Sequence, residues 1–283
     1  MLSITTLKSI RKWRDRLFLL RERMLDRRAF PVGRKILFTP WPEIEAAVRG
    51  GFRGTRHRVS FGPVPPGGGD HDAVVPVSIE ALLAAAADPV LRRRNPLPLP
   101  SADAIRLCDD KAALNARLRA RGFARHLPGE EVQGRFPYML KRRQDACARH
   151  AFRIDGPADE LAHREELASP DYLRQAWIGG DTEFTAHLLH SRGRIRRALT
   201  ISFRMRDAHA IRGRDPVLLH RRCASRHLPL FAALLDAADF EGLCCVNYKV
   251  QDGVPVILEI NPRLGFSLAP FLASFVRSFD WPR

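Results

Sequence analysis

Lysine is scarce in this chain: of 47 basic residues only Lys8, Lys12, Lys35, Lys111, Lys141 and Lys249 are lysines. There is also no run of about eighteen apolar residues, which excludes a conventional membrane-spanning helix. The first residues lack the apolar core and small-residue cleavage site of a secretory leader, so a cytoplasmic address is expected. Cysteine is sparse as well. Cys108, Cys147, Cys223, Cys244 and Cys245 form no CxxC or Cys/His spacing, which argues against zinc and against a disulfide framework. Cys244 and Cys245 sit in an apolar run, where burial is the expected role.

Against these absences stands a formal charge of +16. Such a surplus can mark a nucleic-acid surface. Here the arginines are spread along the whole chain rather than gathered in one patch, so charge alone does not single out a nucleic-acid partner. The 283 residues, 45% of them hydrophobic, suffice for a large core, as two compact units or one mid-sized enzyme.

Leu7–Arg28 reads as an amphipathic helix with a basic face, because Ile10, Trp13, Leu17, Leu20 and Met24 recur at three- and four-residue steps. Such a helix can pack on its own domain, bind a partner or lie on anionic lipid. Lys35–Pro40, His57–Phe61 and Ala73–Val77 read as strands, alternating with helices over Glu43–Arg49 and Ile79–Ala87. This pattern predicts a small open α/β unit. Gly67–Gly69 has no helix at phosphate-loop spacing behind it and reads as a turn. Arg92–Pro100, rich in proline, reads as a stiff extended linker. The expected division is therefore a basic helix over residues 1–30, an α/β unit and linker over 31–100, and a larger unit over 101–283. Within the last, Asp110–Gly122 is an expected helix with Gly122 as its C-cap. Phe136–Lys141, Phe184–Leu189 and Ile195–Phe203 are expected strands, and Ala158–Leu167 and Leu228–Ala238 expected helices.

The chemistry concentrates near the C-terminus. In Val254–Ser267, Glu259 and Asn261 alternate on one strand and so project from the same face. A carboxylate and an amide oxygen side by side are hard ligands suited to Mg²⁺, which leaves room for substrate phosphates. Asp252-Gly253 links this strand to Gly242–Val250 with a strong hairpin signal, which sets Asn247 across from Glu259 as a third oxygen. Arg263 follows, and its guanidinium can engage a phosphate or carboxylate bidentately. Upstream, Pro137-Tyr138-Met139-Leu140-Lys141 is an apolar strand ending in a lysine, a costly group to bury unless an anion meets it.

In this order the motifs resemble the ATP-grasp superfamily, particularly carboxylate–amine ligases of the D-alanine–D-alanine ligase and carbamoyl-phosphate synthetase type. The resemblance runs from about Ala104 to Pro270. It implies an α/β (α+β) fold in which a small open N-terminal unit precedes a two-lobed ATP-grasp domain, with lobes at about 101–174 and 175–283. Lys111 and Lys141 would hold ATP phosphates, Gln175-Ala176-Trp177-Ile178 would receive adenine, and Glu183 the ribose hydroxyls. Asn247, Glu259 and Asn261 would bind Mg²⁺ (or Mn²⁺). Arg204 and Arg263 would join Lys141 at the transferred phosphate, and Gly265 and Ser267 match the family's tail of the metal strand.

The implied reaction is ATP-dependent activation of a carboxylate as an acyl phosphate, then attack by an amine (less often a thiol), with homodimerisation an option. Two departures favour an alternative, an ATP-binding module without turnover. Arg142–Phe152 has no glycine where the family carries a Gly/Ser-rich loop, with Ala146, Cys147 and Ala148 slim instead and Arg142, Arg143, Arg149 and His150 cationic. Asn247 also stands where members of the family carry Asp, Glu or Gln, and would bind a second metal less tightly than a carboxylate. A basic nucleic-acid-binding protein is the remaining alternative, and it gives no reason for the Glu259/Asn261 arrangement.

Overall fold

The computed structural model describes residues 4–132, 134–145 and 148–282. It opens with helix α1 (Ile4–Ala29). Strands β1 (Lys35–Phe38), β2 (Arg58–Phe61) and β3 (Ala73–Val75) then form a parallel sheet in the order β2-β1-β3. Ile36, Leu37 and Phe38 are all buried, as a central parallel strand covered on both faces requires. Helix α2 (Pro42–Phe52) links β1 to β2, and α3 (Ile79–Ala87) and α4 (Pro89–Arg94) follow β3.

Helix α4 corrects the expected linker. Asp88 caps it by accepting from the Val90 and Leu91 amides, and Pro89 stands at its first turn, where the missing amide costs nothing. Arg92–Arg94 are therefore helical, and in the extended remainder Leu97 and Leu99 are buried. The segment is a packed strap. Helices α5 (Ala102–Asp109) and α6 (Lys111–Ala120) come next, capped by Ser101 and Asp110. Gly122 ends the latter at φ 86°, a left-handed C-cap glycine as expected.

Strands β4 (Tyr138–Arg142), β5 (Ala151–Ile154) and β6 (Tyr172–Ala176) make an antiparallel sheet in the order β5-β4-β6. The helix expected over Ala158–Leu167 is two short ones, α7 (Pro157–Ala162) and α8 (Arg164–Ala168), broken at His163.

The largest sheet contains β7 (Thr182–Ser191), β8 (Arg194–Met205), β9 (Val217–Cys223), β10 (Gly242–Gln251) and β11 (Val254–Asn261), all antiparallel in the order β11-β10-β7-β8-β9. Asp252 and Gly253 close the β10–β11 hairpin at φ 49° and 77°, the left-handed pair that suits a two-residue hairpin turn. Helix α9 (Leu228–Ala237) covers one face, burying Phe231, Leu234 and Leu235 against Cys244, Val246 and Tyr248. Toward its β8 end, the other face contributes Leu199, Ile201 and Phe203 to a core shared with Ile36 and Phe38 of the parallel sheet. The C-terminal helix α10 (Ala273–Val276) packs into that shared core. No helix among the described residues is long and apolar enough to cross a membrane. The chain is thus the mixed α/β structure expected, a small parallel sheet followed by two antiparallel sheets.

Candidate functional site

The site face of the large sheet is set by pairing register. Thr185, Asn247 and Glu259 stand abreast on β7, β10 and β11, and His187, Cys245 and Asn261 form the next row. One irregularity makes this possible. Asn247 pairs with Glu259 but Tyr248 pairs with Ile257, so Leu258 is an extra residue on β11. Such a bulge shifts the alternation by one residue. Without it, Glu259 would turn to the α9 side. With it, the carboxylate joins Asn247 as expected from the hairpin.

The polar row is bonded side to side. Thr185 Oγ1 donates to Asn247 Oδ1 at 2.7 Å, Asn247 Nδ2 donates to Glu259 Oε1 at 2.5 Å, and Asn261 Nδ2 donates to the same oxygen at 3.0 Å. Burial would raise the Glu259 carboxyl, but Lys111, Lys141, Asn261 and Arg212 hold it down at about 2. It is a carboxylate throughout the neutral range.

The opposing lobe supplies the cations. Lys141, the next-to-last residue of β4, reaches across to donate to the Leu258 carbonyl at 2.9 Å. That carbonyl belongs to the bulge residue, outside the strand ladder. Burial pushes the Lys141 ammonium down to about 8, against the pull of Glu259. Lys111, in the first turn of α6, lies 3.7 Å from Glu259 Oε2 and donates to the Arg143 and Asp145 carbonyls. Its helix start is locked by Asp110, which accepts from Arg143 Nη2 at 2.5 Å. Of the six lysines in the sequence, Lys111 thus pairs with Glu259 and Lys141 bonds the carbonyl of its neighbour Leu258 across the gap between lobes.

Gln175 lies on β6 opposite Met139, so it shares a face with Lys141 two residues along β4. It is buried, and its side-chain oxygen has no hydrogen-bond partner among the described residues. A buried acceptor left open costs about 1–3 kcal/mol and marks a place where a donor is wanted. In the segment that follows, the Ala176 amide is bound to the Gly129 carbonyl at 2.7 Å. The Ile178 and Gly180 carbonyls both accept from Lys249 at 3.0 Å. Lys249 also sits 5.2 Å from the Trp177 ring centroid, so one buried ammonium pins the whole connection between the sheets.

Two expected roles meet a different geometry. Glu183 lies on the site face but is engaged by Arg212, whose Nε donates to Oε1 at 2.6 Å. Burial works against the Arg212 charge, yet Glu183 holds its pKa above the usual value. Arg204, by contrast, turns away. Phe203 pairs with Glu183, so the next residue projects from the opposite face, where Arg204 meets Asp181 at 3.4 Å in an exposed position. The cation beside Glu259 from this region is Arg212, in the loop between β8 and β9. Arginine is so abundant that nothing in the sequence distinguished it. Lys249 was distinguishable through its rarity.

At the far edge, Arg263 donates to the Leu264 carbonyl at 3.2 Å and lies 5.3 Å from the Trp41 ring of the N-terminal unit. Ser267 meets His187 Nε2 at 2.8 Å. Burial, reinforced by Arg212, pushes His187 down to about 3, so it is neutral. Gly265 is required there, because a Cβ would come within 2.6 Å of the His187 ring and 2.9 Å of Cys245 Sγ. Of the loop 142–152, Ala146 and Cys147 lie outside the described residues. His150 and Asp145 meet at 3.3 Å.

One carboxylate and two amides can serve a single hard cation that takes its remaining ligands from phosphate. The donor set fits Mg²⁺ if the Asn247 and Asn261 amides turn their oxygens inward. Among the described residues no group of three His, Cys, Asp or Glu side chains could hold a metal by itself.

No protein-family model matches the chain, and no curated protein matches it in sequence. Solved structures do. D-alanine–D-alanine ligase from Bacillus anthracis superposes with a TM-score of 0.60 at 13% identity, covering 88% of this chain and 93% of that one. The same enzyme complexed with ATP gives 0.57 at 14%, with 84% and 88% covered. L-amino acid ligase from Bacillus licheniformis gives 0.57 at 13%, with 84% and 69% covered. These likenesses agree with the two facing antiparallel sheets and the preceding parallel unit: the chain has the ATP-grasp fold.

Proposed function

We propose that this protein is an ATP-dependent ligase that activates a carboxylate as an acyl phosphate for attack by an amine. The observation that carries the reading is the convergence of Lys111 and Lys141 from one lobe on Glu259 from the other. Lys111, Lys141 and Arg212 outnumber the two carboxylates among them, Glu183 and Glu259, and the surplus suits a polyphosphate. The three fold neighbours described above are structures named as ligases of amino acids, one of them complexed with ATP.

In this reading the open Gln175 oxygen accepts from the adenine amine, while Lys249 fixes the adjoining backbone. Lys141 leaves the Leu258 carbonyl for phosphate oxygens. Glu259 and Asn261, with Asn247 beside them, would hold Mg²⁺, which would supply neutralisation of phosphate charge. Arg263 and Arg212 flank the position of the transferred group and offset its developing charge. The protein's contribution is positioning and electrostatics, with no covalent nucleophile required.

A second reading, nucleotide binding without turnover, is favoured by Asn247: its amide points a donor, where an acid would point a ligand, at Glu259. A panel of amino acids and carboxylates assayed for Mg²⁺-dependent ADP formation separates the two, with Glu259→Gln as control. Substrate-dependent ADP release lost in the variant supports the ligase. Tight nucleotide binding with no release across the panel supports the binding module.

A further inference from the structure

The site leaves helix α1 without a role. Its 26 residues extend about 39 Å, and its inner face is fixed to the body by charge. Glu22 accepts from Arg197 at 2.9 Å and Arg277 at 2.6 Å, Asp15 from Arg222 at 2.7 Å, and Asp26 meets His57 at 3.0 Å. Phe18 packs edge-on against Phe271. Every carboxylate of the helix is thus turned inward and paired.

The apolar stripe recognised in the sequence is turned outward. Trp13 is 64% exposed and Met24 60%, and Ile10, Leu17 and Leu20 are exposed between them. This corrects the simplest expectation for an amphipathic helix, that its apolar side covers its own core. Rotating the stripe inward would bury Arg14, Arg21 and Arg28 and break three ion pairs and the Asp26–His57 hydrogen bond. The helix is held with its large apolar side chains facing water. At seven-residue steps Arg14, Arg21 and Arg28 run along one flank of the stripe, and Arg16 and Arg27 line the other, all exposed.

We infer that the outer face of α1 is a docking surface for an anionic lipid bilayer, with Trp13, Leu17, Leu20 and Met24 entering the interface and the flanking arginines meeting headgroup phosphates. An apolar stripe between two cationic rows is the arrangement that lies in a membrane plane, and each arginine adds attraction to anionic lipid within a Debye length. A second copy of the chain suits the face poorly. Stripe-to-stripe packing would set arginine rows together with no carboxylate on either face to neutralise them.

The test is flotation of the full chain with vesicles of phosphatidylcholine containing about 30 mol% phosphatidylglycerol, against pure phosphatidylcholine. The expected result is partition to the anionic vesicles alone, weakened by added salt. A Trp13→Ala/Leu17→Ala double variant and an Arg14→Glu/Arg21→Glu/Arg28→Glu triple variant should each lose about tenfold or more of that partition, with thermal midpoint and circular dichroism unchanged. Absence of partition, or variants floating as the wild type does, overturns the inference. So does a lipid-free dimer in sedimentation that the double variant abolishes, since the stripe would then be a self-association surface. None of these readouts depends on nucleotide turnover.

Discussion

Arg212 donates its Nε–H to Glu183 at 2.6 Å, and this pair ties the loop between β8 and β9 to the row of polar residues ending in Glu259. Arg204, only eight positions earlier, is on the other face with Asp181. Two arginines of one segment are therefore separated by the sheet itself. Arg212→Ala should lower kcat for ADP formation by about 100-fold or more, the loss of one charge-stabilising donor, and leave Glu183 buried without a partner. Arg204→Ala should stay within about twofold, because an exposed ion pair contributes little. Steady-state kinetics of the two variants side by side is the check, and equal effects would contradict the placement.

Nucleotide affinity should depend on Lys141. Its ammonium, lowered to about 8, is charged below that pH and neutral above it. An anionic ligand selects the charged form, so affinity is flat up to about pH 8 and falls as pH rises beyond it. Lys141→Arg keeps a charge at every accessible pH and should remove that fall. Calorimetric titration of ATP across the alkaline range reads both slopes.

Gln175 offers its unpartnered oxygen to a purine amine. Gln175→Leu removes the acceptor and should cost about tenfold in ATP affinity, the worth of one hydrogen bond to a buried group. GTP, which lacks that amine, should bind the wild type more weakly and the variant no worse. Competition binding with the two nucleotides decides.

Asn247→Asp restores a second carboxylate beside Glu259, whose oxygen is 2.5 Å from the Asn247 amide. Without metal, two like charges at that spacing should lower the thermal midpoint by several degrees, about 1–3 kcal/mol. Mg²⁺ should recover the loss and half-saturate the variant at lower concentration than the wild type. Melting curves with and without Mg²⁺ test both statements.

Much of this arrangement was legible in the sequence because it rests on alternation and turn chemistry. Asp252-Gly253 announced the hairpin, and the hairpin brought Asn247 opposite Glu259. Lys141 stood out as a lone charge ending an apolar strand. The bulge at Leu258 was not legible, since an extra residue on one strand leaves no compositional mark. β5, β6 and β9 were missed for a related reason: Ala151–Ile154, Tyr172–Ala176 and Val217–Cys223 carry arginines or histidines on faces that stay partly open. The Arg92–Arg94 turn of α4 was hidden by surrounding prolines, although Asp88-Pro89 is itself a helix start. Which face of α1 packs was also hidden, because its acids are matched by arginines far along the chain.

The bond from Lys141 to the Leu258 carbonyl has a consequence for how a ligand enters. The two walls of the cleft are latched, by a side chain of one on the backbone of the other. On the proposed function, arrival of a nucleotide would be an exchange, in which phosphate takes over a lysine that the protein had been keeping for itself. A measured affinity would then be the difference between two occupied states of that lysine.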